Sequence, residues 1–346
     1  MSSAVGMGLI GLGTISFAHM EGYRIAGDAV DIVAACDTDP ATAKHVADHY
    51  SCSSYTDYRE LLANPAVEAV DIMLPHSLHH EVAGAALRAK KHVLVEKPMA
   101  PSSAECRDLI EVARANDRTF TVAENTPFVD AYKAVEKLME AGELGELQVV
   151  RASISGTEVE RLRDTTLWKG RRDGTVGGAI MDAGPHSFYL FKWLFGGIAD
   201  VSAQSWKLVA ESEVEDNAVM TGRLANGAVY SVDLSFTAEV PWGERLEIHG
   251  SEASVIVDQL ADRPVVVYRG SFDFDGTPIA RVNRDVAWWK GASIAAGVVD
   301  FVTAIGDGRP PSVDPVDGLL AMHAVEAAYQ SVADGGRPVA VEADLP

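Results

Sequence analysis

The sequence is poor in cysteine and in positive charge, and it contains no long hydrophobic run. Its three cysteines, among 346 residues, match no metal-ligand spacing and suggest a reducing compartment. The 29 basic residues stand against 50 acidic ones, and the net charge of −21 argues against nucleic acid or an anionic membrane as a partner. No apolar run reaches membrane-spanning length, and the first residues lack the features of a secretory signal. We therefore expect a cytoplasmic protein, long enough for two domains.

A glycine-rich turn follows the first apolar segment. The letters VGMGLIGLG (5–13) predict a short buried strand that runs into Gly11-Leu12-Gly13-Thr14-Ile15-Ser16. This run matches G-x-G-x-x-G, with serine in the place of the third glycine. Gly11 permits a tight turn, Gly13 lets the backbone approach a pyrophosphate, and the third position only has to be small. The motif is weak alone, but its position between a strand and a helix favours a dinucleotide site.

An aspartate ends the second predicted strand, VDIVAACDTDP (30–40). Asp37 follows the glycines by roughly the 20 residues that separate the phosphate turn from the ribose-binding carboxylate in dinucleotide-binding domains. A carboxylate there can bind both ribose hydroxyls and would repel a 2′-phosphate. No Arg or Lys follows before Lys44. The sequence therefore predicts NAD rather than NADP as the cofactor.

Apolar strands alternate with helical segments as far as residue 125. Strands are predicted at 69–74, 92–98 and 118–125, with a helix at about 102–116 among the intervening ones. This alternation predicts a doubly wound parallel sheet with ligands at the carboxyl ends of its strands. Lys97 lies at such an end, between a buried strand and a proline, as do His76, His79 and Asn125. The histidines of PHSLHHE (75–81) match no zinc pattern, so no metal is predicted.

From about residue 149 the hydrophobic period changes to two. Strands are predicted at 149–156, 201–209, 217–224, 228–236, 245–250 and 253–258, with a hairpin turn at Asn226-Gly227. This pattern predicts an open, mainly antiparallel sheet in a second α/β domain, followed by a long helix that ends at Gly335-Gly336. One uncovered face of such a sheet favours a homodimer or a homotetramer.

The stretch GGAIMDAGPHSFYLFKWLFG (177–196) places Asp182 and His186 just before an apolar helix. Gly184 and Pro185 are expected in the first turn of that helix, where proline is tolerated because its missing N–H has no intrahelical partner. Asp182 and His186, four residues apart, would then point to the same side. On its own the stretch fits an N-capping aspartate with a surface histidine equally well.

Two sets of side chains could recognise a substrate. Five basic residues fall within ERLRDTTLWKGRR (160–172): Arg161, Arg163, Lys169, Arg171 and Arg172. A solvated loop is the favoured interpretation, and the alternative is a subsite for a substrate carboxylate or phosphate, with Arg163 as a substrate-binding residue. The second set comprises Trp168, Trp242, Trp288 and Trp289, which could stack on a sugar face, although large aromatic residues more often belong to cores or interfaces.

Together these segments resemble the Gfo/Idh/MocA family, which comprises glucose–fructose oxidoreductase, inositol dehydrogenase and their relatives. The resemblance covers nearly the whole chain, and its most specific elements are Glu96-Lys97-Pro98 and the D-x-G-x-H of residues 182–186. It implies an NAD-binding Rossmann domain in 1–123 and a substrate-binding and oligomerisation α/β domain in 124–346. The implied activity is reversible, NAD-dependent oxidation of a secondary alcohol on a sugar, cyclitol or sugar derivative.

The resemblance also implies roles for individual residues. The catalytic and substrate-binding set is Lys97, Asp182 and His186. The implied cofactor-binding residues are Gly11, Gly13, Thr14, Ile15, Asp37, Pro75, His79, Glu96, Lys97, Asn125, Trp168 and Lys169. The chain departs from the family pattern at His76, where asparagine is common, and at Thr126-Pro127, which alters the substrate-facing wall.

Two other functions remain compatible with the same fold. One is a non-catalytic NAD-binding regulator, against which the intact Lys97, Asp182 and His186 set argues. The other is redox-neutral, NAD-dependent glycoside cleavage, in which transient oxidation of the sugar assists elimination. An NAD-dependent dehydrogenase is the favoured interpretation.

Overall fold

The chain forms two compact units in the computed structural model, which describes residues 4–270, 273, 275–280 and 289–342. The first unit takes the described residues of 1–125 and 288–319, and the second takes those of 126–287 and 320–344. The predicted boundary at 123/124 lies close to the first division. The predicted second domain was continuous, however, whereas residues 289–319 return to the first unit because their apolar side chains complete its core.

Parallel strands and covering helices build the first unit. Its elements up to residue 122 are β1 (Val5–Ile10), α1 (Ser16–Ala26), β2 (Val30–Cys36), α2 (Pro40–Tyr50), β3 (Ser53–Tyr55), α3 (Tyr58–Ala63), β4 (Ala69–Ile72), α4 (His79–Arg88), β5 (His92–Val95), α5 (Ser103–Asn116) and β6 (Phe120–Val122). The six strands are parallel, in the order β3-β2-β1-β4-β5-β6, as the alternating pattern predicted. The order reverses between β1 and β4, where doubly wound sheets bind their ligands.

The remaining elements follow in chain order. They are α6 (Asp130–Glu140), β7 (Leu147–Ser155), α7 (Val159–Arg163), α8 (Arg172–Thr175), α9 (Ala179–Asp182), α10 (Gly184–Phe195), β8 (Ile198–Trp206), β9 (Asn217–Leu224), β10 (Val229–Ser235), β11 (Gly243–Gly250), β12 (Ser254–Asp258), β13 (Val265–Tyr268), β14 (Thr277–Ala280), α11 (Trp289–Asp307), α12 (Pro315–Ala333) and β15 (Val339–Ala340). Of the helices that these bounds describe, none is both long and apolar enough to cross a membrane.

Helix α11 belongs to the first unit, where it packs on α1. Its Val298, Phe301 and Val302 are buried in the same cluster as Met7 and Leu9 of β1. The two helices approach closely at Gly22, where a Cβ atom would lie 2.6 Å from the Cβ of Val298. The strand β1 is buried along its whole length, as expected for a parallel sheet with both faces covered.

The second unit is built on a nine-stranded sheet in the order β14-β13-β12-β11-β7-β10-β9-β8-β15. Among the described strands of this sheet, only β7 and β10 pair in parallel, so the prediction of a mainly antiparallel sheet is confirmed. The Asn226-Gly227 hairpin is also present, with Gly227 at a φ of 91°. The predicted strand 201–209 ends earlier, at Trp206, because the Asp216 carboxylate accepts the backbone N–H groups of Leu208 and Val209.

Candidate active site

The glycine turn lies between β1 and α1 and has the shape that a pyrophosphate needs. Gly11 has a φ of 86°, and a Cβ atom there would lie 2.5 Å from the carbonyl oxygen of Met73. Gly13 is exposed, and a Cβ atom there would meet nothing within 4 Å. The backbone N–H and the hydroxyl of Ser16 both donate to the Gly13 carbonyl, so serine replaces the third glycine while tightening the turn. The open surface at Gly13, before a helix N-terminus with no acidic residue in its first turn, fits an anionic phosphate group.

Asp37 follows β2 directly and faces the glycine turn. One carboxylate oxygen accepts the N–H of Leu12 at 2.9 Å, and the other accepts the N–H of Asp39 at 2.9 Å. These bonds orient the half-buried carboxylate, and each oxygen keeps a lone pair for a ribose hydroxyl. Asp37 therefore presents a fixed hydrogen-bond acceptor next to the glycine turn.

The Glu96-Lys97-Pro98 segment follows β5 and is fixed by buried side chains. Glu96 is buried and its Oε2 accepts the N–H of Lys97 at 3.1 Å, while Lys97 itself is half-buried. The ring nitrogens of buried His79 lie 2.7 Å from the Pro98 carbonyl oxygen and 2.9 Å from that of Leu74. Burial lowers the pKa of His79. His79 thus links the backbone of Leu74 to that of Pro98, and Pro75 lies next to Leu74.

Asn125 ends the first unit's sheet region and is anchored on α11. Its side-chain amide donates to the hydroxyl of Ser293 at 2.8 Å, and both side chains are buried. Ser293 belongs to α11, which lies within the predicted second domain, 124–346, but packs in the first unit.

Asp182 and His186 lie on two successive helices, the short α9 and the longer α10. Asp182 is the last residue of α9, and α10 begins at Gly184 with Ala183 between them. The predicted position of Gly184 and Pro185 in the first turn of the apolar helix is confirmed, but Asp182 ends a separate short helix and does not cap this one. Pro185 cannot donate a backbone hydrogen bond to residue 181, which interrupts the helix at this point. Asp182 and His186 are 6% and 5% exposed, which does not fit a surface histidine.

A lysine neutralises Asp182. Lys169 forms an ion pair with the Asp182 carboxylate, and both side chains are largely buried. The ammonium group also lies 5.3 Å from the centre of the Phe236 ring. The resemblance implies a cofactor contact for Lys169; the structure shows it paired with a predicted catalytic carboxylate.

Most of the basic residues around Lys169 pair with neighbouring acids on exposed surface. Arg161 pairs with Glu158, Arg163 pairs with Glu160, and Arg171 pairs with Asp173. Arg172 donates to the backbone carbonyl of Glu213. These contacts favour the interpretation as a solvated loop, and substrate binding by Arg163 stays a prediction.

The tryptophans that could stack on a sugar face differ in their surroundings. The Trp242 ring lies 5.6 Å from that of Phe236, and Trp168 is half-buried close to Gly174. Trp288 lies outside the described residues, and so does the side chain of Trp289.

The sequence interpretation missed the residues that position α9. The Glu215 carboxylate accepts the N–H groups of Gly178 and Ile180 and the hydroxyl of Tyr329, the last at 2.7 Å. A Cβ atom at Gly178 would collide with the Glu215 backbone, and one at Gly177 with the Tyr329 hydroxyl. Two adjacent glycines were the available signal for this close approach. Their partners lie far along the chain, so the sequence did not reveal them.

Further polar side chains surround His186. A cavity of about 10 Å³, roughly the space of one water molecule, is lined by His186, Glu244, Thr126 and Tyr132 among others. The Tyr132 hydroxyl donates to the buried Glu244 carboxylate at 3.1 Å. His186 therefore has a polar wall on one side, formed by β11 and by the segment that contains Thr126 and Tyr132.

Comparisons with known proteins agree with this architecture. Residues 5–124 match the model of the oxidoreductase family with an NAD-binding Rossmann fold, and residues 132–256 match the GFO/IDH/MocA C-terminal domain. An uncharacterised oxidoreductase of Synechocystis sp., sll0816, is 32% identical over 81% of this chain and 76% of its own length. Inositol 2-dehydrogenase of Acidothermus cellulolyticus is 28% identical over 99% of this chain and 97% of its own.

A solved structure has the same fold along the whole chain. Levoglucosan dehydrogenase, determined in complex with NADH and levoglucosan, aligns with a TM-score of 0.87 over 98% of this chain and 100% of its own, at 23% identity. The family models, the relatives and the two observed sheets all point the same way. This chain belongs to the Gfo/Idh/MocA family, as an oxidoreductase with an N-terminal NAD-binding Rossmann domain.

Proposed function

We propose that the protein is an NAD-dependent dehydrogenase that transfers hydride between a secondary alcohol of a sugar, cyclitol or sugar derivative and nicotinamide. The observation that carries this proposal is the buried pair of Asp182, ion-paired to Lys169, and His186 in the next helical segment. A regulator without catalysis has no evident need for a buried carboxylate and imidazole at this point. The inositol 2-dehydrogenase relative supports a polyol or sugar as substrate.

Each predicted catalytic side chain has one chemical task. NAD supplies the hydride acceptor when it is bound. His186 accepts the hydroxyl proton, since imidazole is the side chain best suited to proton transfer near neutral pH. The Lys97 ammonium group stabilises the developing alkoxide by a charged hydrogen bond. Asp182 orients the substrate hydroxyls, and its ion pair with Lys169 holds that carboxylate in place.

The cofactor preference follows from Asp37 and the glycine turn. The carboxylate of Asp37 is fixed by the backbone N–H groups of Leu12 and Asp39, and its negative charge would repel a 2′-phosphate. NAD is therefore the expected cofactor. A homodimer or homotetramer stays our prediction for the assembly.

The first test measures initial rates of NADH formation with NAD, and with NADP in parallel, across aldoses, inositols, deoxy-sugars and sugar acids. We expect turnover with NAD on one of these classes. Lys97→Met and His186→Asn should each lower kcat by about 10²–10⁴-fold while the melting temperature stays within a few degrees. Lys44→Met, which removes an exposed lysine of the same unit as Lys97, is the matched control and should keep full activity.

The results also separate the competing functions. Unchanged turnover in the Lys97 or His186 variant would contradict the catalytic assignment. Product formation without net NADH release would indicate redox-neutral glycoside cleavage. NAD binding with no turnover on any class would indicate a regulator.

A further inference from the structure

A fully buried histidine connects the core of the first unit to the segment that carries Lys97. His19, on α1, is 0% exposed. Its Nδ1 lies 2.8 Å from Oδ2 of Asp71 on β4, and its Nε2 lies 2.9 Å from Oε1 of Glu96 at the end of β5. The sequence interpretation gave no role to His19 or Asp71, although an aspartate inside the apolar segment AVDIML (69–74) was a visible signal.

The two partners determine the protonation state of the ring. An ionised carboxylate only accepts hydrogen bonds, so both ring nitrogens of His19 must carry a hydrogen, and the ring is an imidazolium. Burial by itself lowers the pKa of His19, but Asp71 and Glu96 outweigh it and raise the pKa to about 10. His19 therefore stays charged throughout the neutral range.

The titratable groups around His19 come from several elements. Asp71 belongs to β4, Glu96 follows β5, and Tyr23 lies one turn further along α1. The Tyr23 hydroxyl donates to the same oxygen of Asp71 at 2.7 Å. His19 thus lies between the carboxyl groups of Asp71 and Glu96.

Glu96 transmits the effect of His19 to Lys97. One of its carboxylate oxygens binds His19, and the other accepts the backbone N–H of Lys97 at 3.1 Å. Burial raises the pKa of Glu96, but His19 and then Lys97 outweigh burial, and the pKa lies below its ordinary value. The Glu96 carboxylate is thus fixed by His19 and coupled electrostatically to Lys97.

We propose that His19 is a positioning residue for the hydride-transfer reaction: it holds the Glu96 carboxylate, which fixes the backbone of Lys97 and supplies a negative charge next to it. This inference rests on the proposed function, in which Lys97 stabilises the alkoxide. A cation in that role has to be placed accurately and kept protonated, because the charge it stabilises exists only as the reaction proceeds. A purely structural ion pair, which would only hold α1 on the sheet, is the alternative.

A double-mutant cycle distinguishes the two roles. His19→Gln, Glu96→Gln and the double variant are compared by kcat, by KM for NAD and by melting temperature. In the double variant the new amide at position 19 can donate to Asp71 while its carbonyl accepts from the new amide at position 96. No charge is then left between these two positions, and the melting temperature shows whether the variant folds. We expect each single variant to lose about tenfold or more in kcat with little change in KM for NAD. The kcat of the double variant should be no lower than that of the less active single variant.

The matched control for lost stability is Thr121→Val. Thr121 is buried in the same unit, and its hydroxyl donates to the Val313 carbonyl at 2.7 Å. This variant should lower the melting temperature while kcat and its pH profile stay as in the wild type. Additive losses in the cycle, or losses in kcat that follow the melting temperature in all variants, would overturn the positioning role. A raised KM for NAD in Glu96→Gln alone would overturn it as well, because Glu96 would then act on the cofactor.

A final measurement does not depend on turnover. In protein labelled at the lysine Cε, the Lys97 resonance is assigned by its absence in Lys97→Arg and titrated in the wild type and in Glu96→Gln. Loss of the adjacent negative charge should lower the Lys97 midpoint by about half a pH unit or more. An unchanged midpoint in an active enzyme overturns the inference and leaves the proposed function standing. A shifted midpoint in a protein that oxidises no substrate overturns the proposed function, and the reaction role of His19 with it, while the link between Glu96 and Lys97 stands.

Discussion

Gly11 and Gly13 lack a Cβ atom for two different reasons. At Gly11 the backbone has a positive φ and the Met73 carbonyl occupies the space, so the glycine is required by the fold. At Gly13 the surroundings are open and φ is not positive, so the fold would accept a larger residue. The free space at Gly13 is therefore available to a ligand.

Alanine at these two positions should separate folding from cofactor binding. Gly11→Ala should reduce the free energy of unfolding by about 1–3 kcal/mol, because it combines strain at positive φ with a clash against Met73. Gly13→Ala should leave the melting temperature unchanged and weaken NAD binding by about tenfold or more, since the methyl group blocks the approach of the pyrophosphate. Thermal unfolding and calorimetric titration with NAD measure both effects. Wild-type NAD affinity in Gly13→Ala would contradict the assignment of the turn.

At the scale of elements, the packing of α1 against α11 explains why a distant helix joins the first unit. Gly22 lets the two helices pack closely. A Cβ atom at this position would lie 2.6 Å from the Cβ of Val298 and 2.8 Å from the Ala295 carbonyl oxygen. Helix α4 contains a glycine, Gly84, that is less tightly confined. A Cβ atom at Gly84 would come within 3 Å only of the Arg88 guanidinium, the end of a flexible side chain.

The same substitution should therefore have opposite effects on the two helices. Gly22→Ala should destabilise the protein by about 1–3 kcal/mol, because α11 has to shift. Gly84→Ala should stabilise it by up to about 1 kcal/mol through better helix propensity, since Arg88 can move aside. Urea denaturation of both variants tests this pair. Equal effects in the two would mean that α1 and α11 do not pack in close contact at Gly22.

At the scale of the whole molecule, the stability of the fold depends on the charge of one buried histidine. The pKa of His19 rises from 6.5 to about 10 on folding. A raised pKa means that the folded state binds the proton more tightly than the unfolded state. The resulting stabilisation is fully present below pH 6.5 and is lost as the pH rises towards 10.

The free energy of unfolding should accordingly fall between about pH 6.5 and 8.5. One proton accounts for a slope of up to about 1.4 kcal/mol per pH unit. His19→Gln should be less stable at about pH 6.5 and should show a flatter dependence over the same window. Urea denaturation at several pH values compares the two proteins, and parallel slopes would show that His19 is not protonated on folding. The upper end of this window stays below the titration of Cys36, whose pKa burial raises to about 11.

The sequence by itself determined the two sheets, the glycine turn, Asp37 and the segments that carry Lys97, Asp182 and His186. These features follow from local periodicity and from short motifs, because strand alternation and turn chemistry depend on neighbouring residues.

Only the tertiary structure decided what holds those segments. It brought Glu96 and Asp71 to His19, Glu215 and Tyr329 to the glycines before Asp182, Lys169 to Asp182, and α11 back to the first unit. It also placed Asp182 at the end of a separate short helix, α9, before α10 begins at Gly184. Such pairings join residues that are well separated along the chain. Burial and charge compensation select them, and neither can be assigned before the chain is folded.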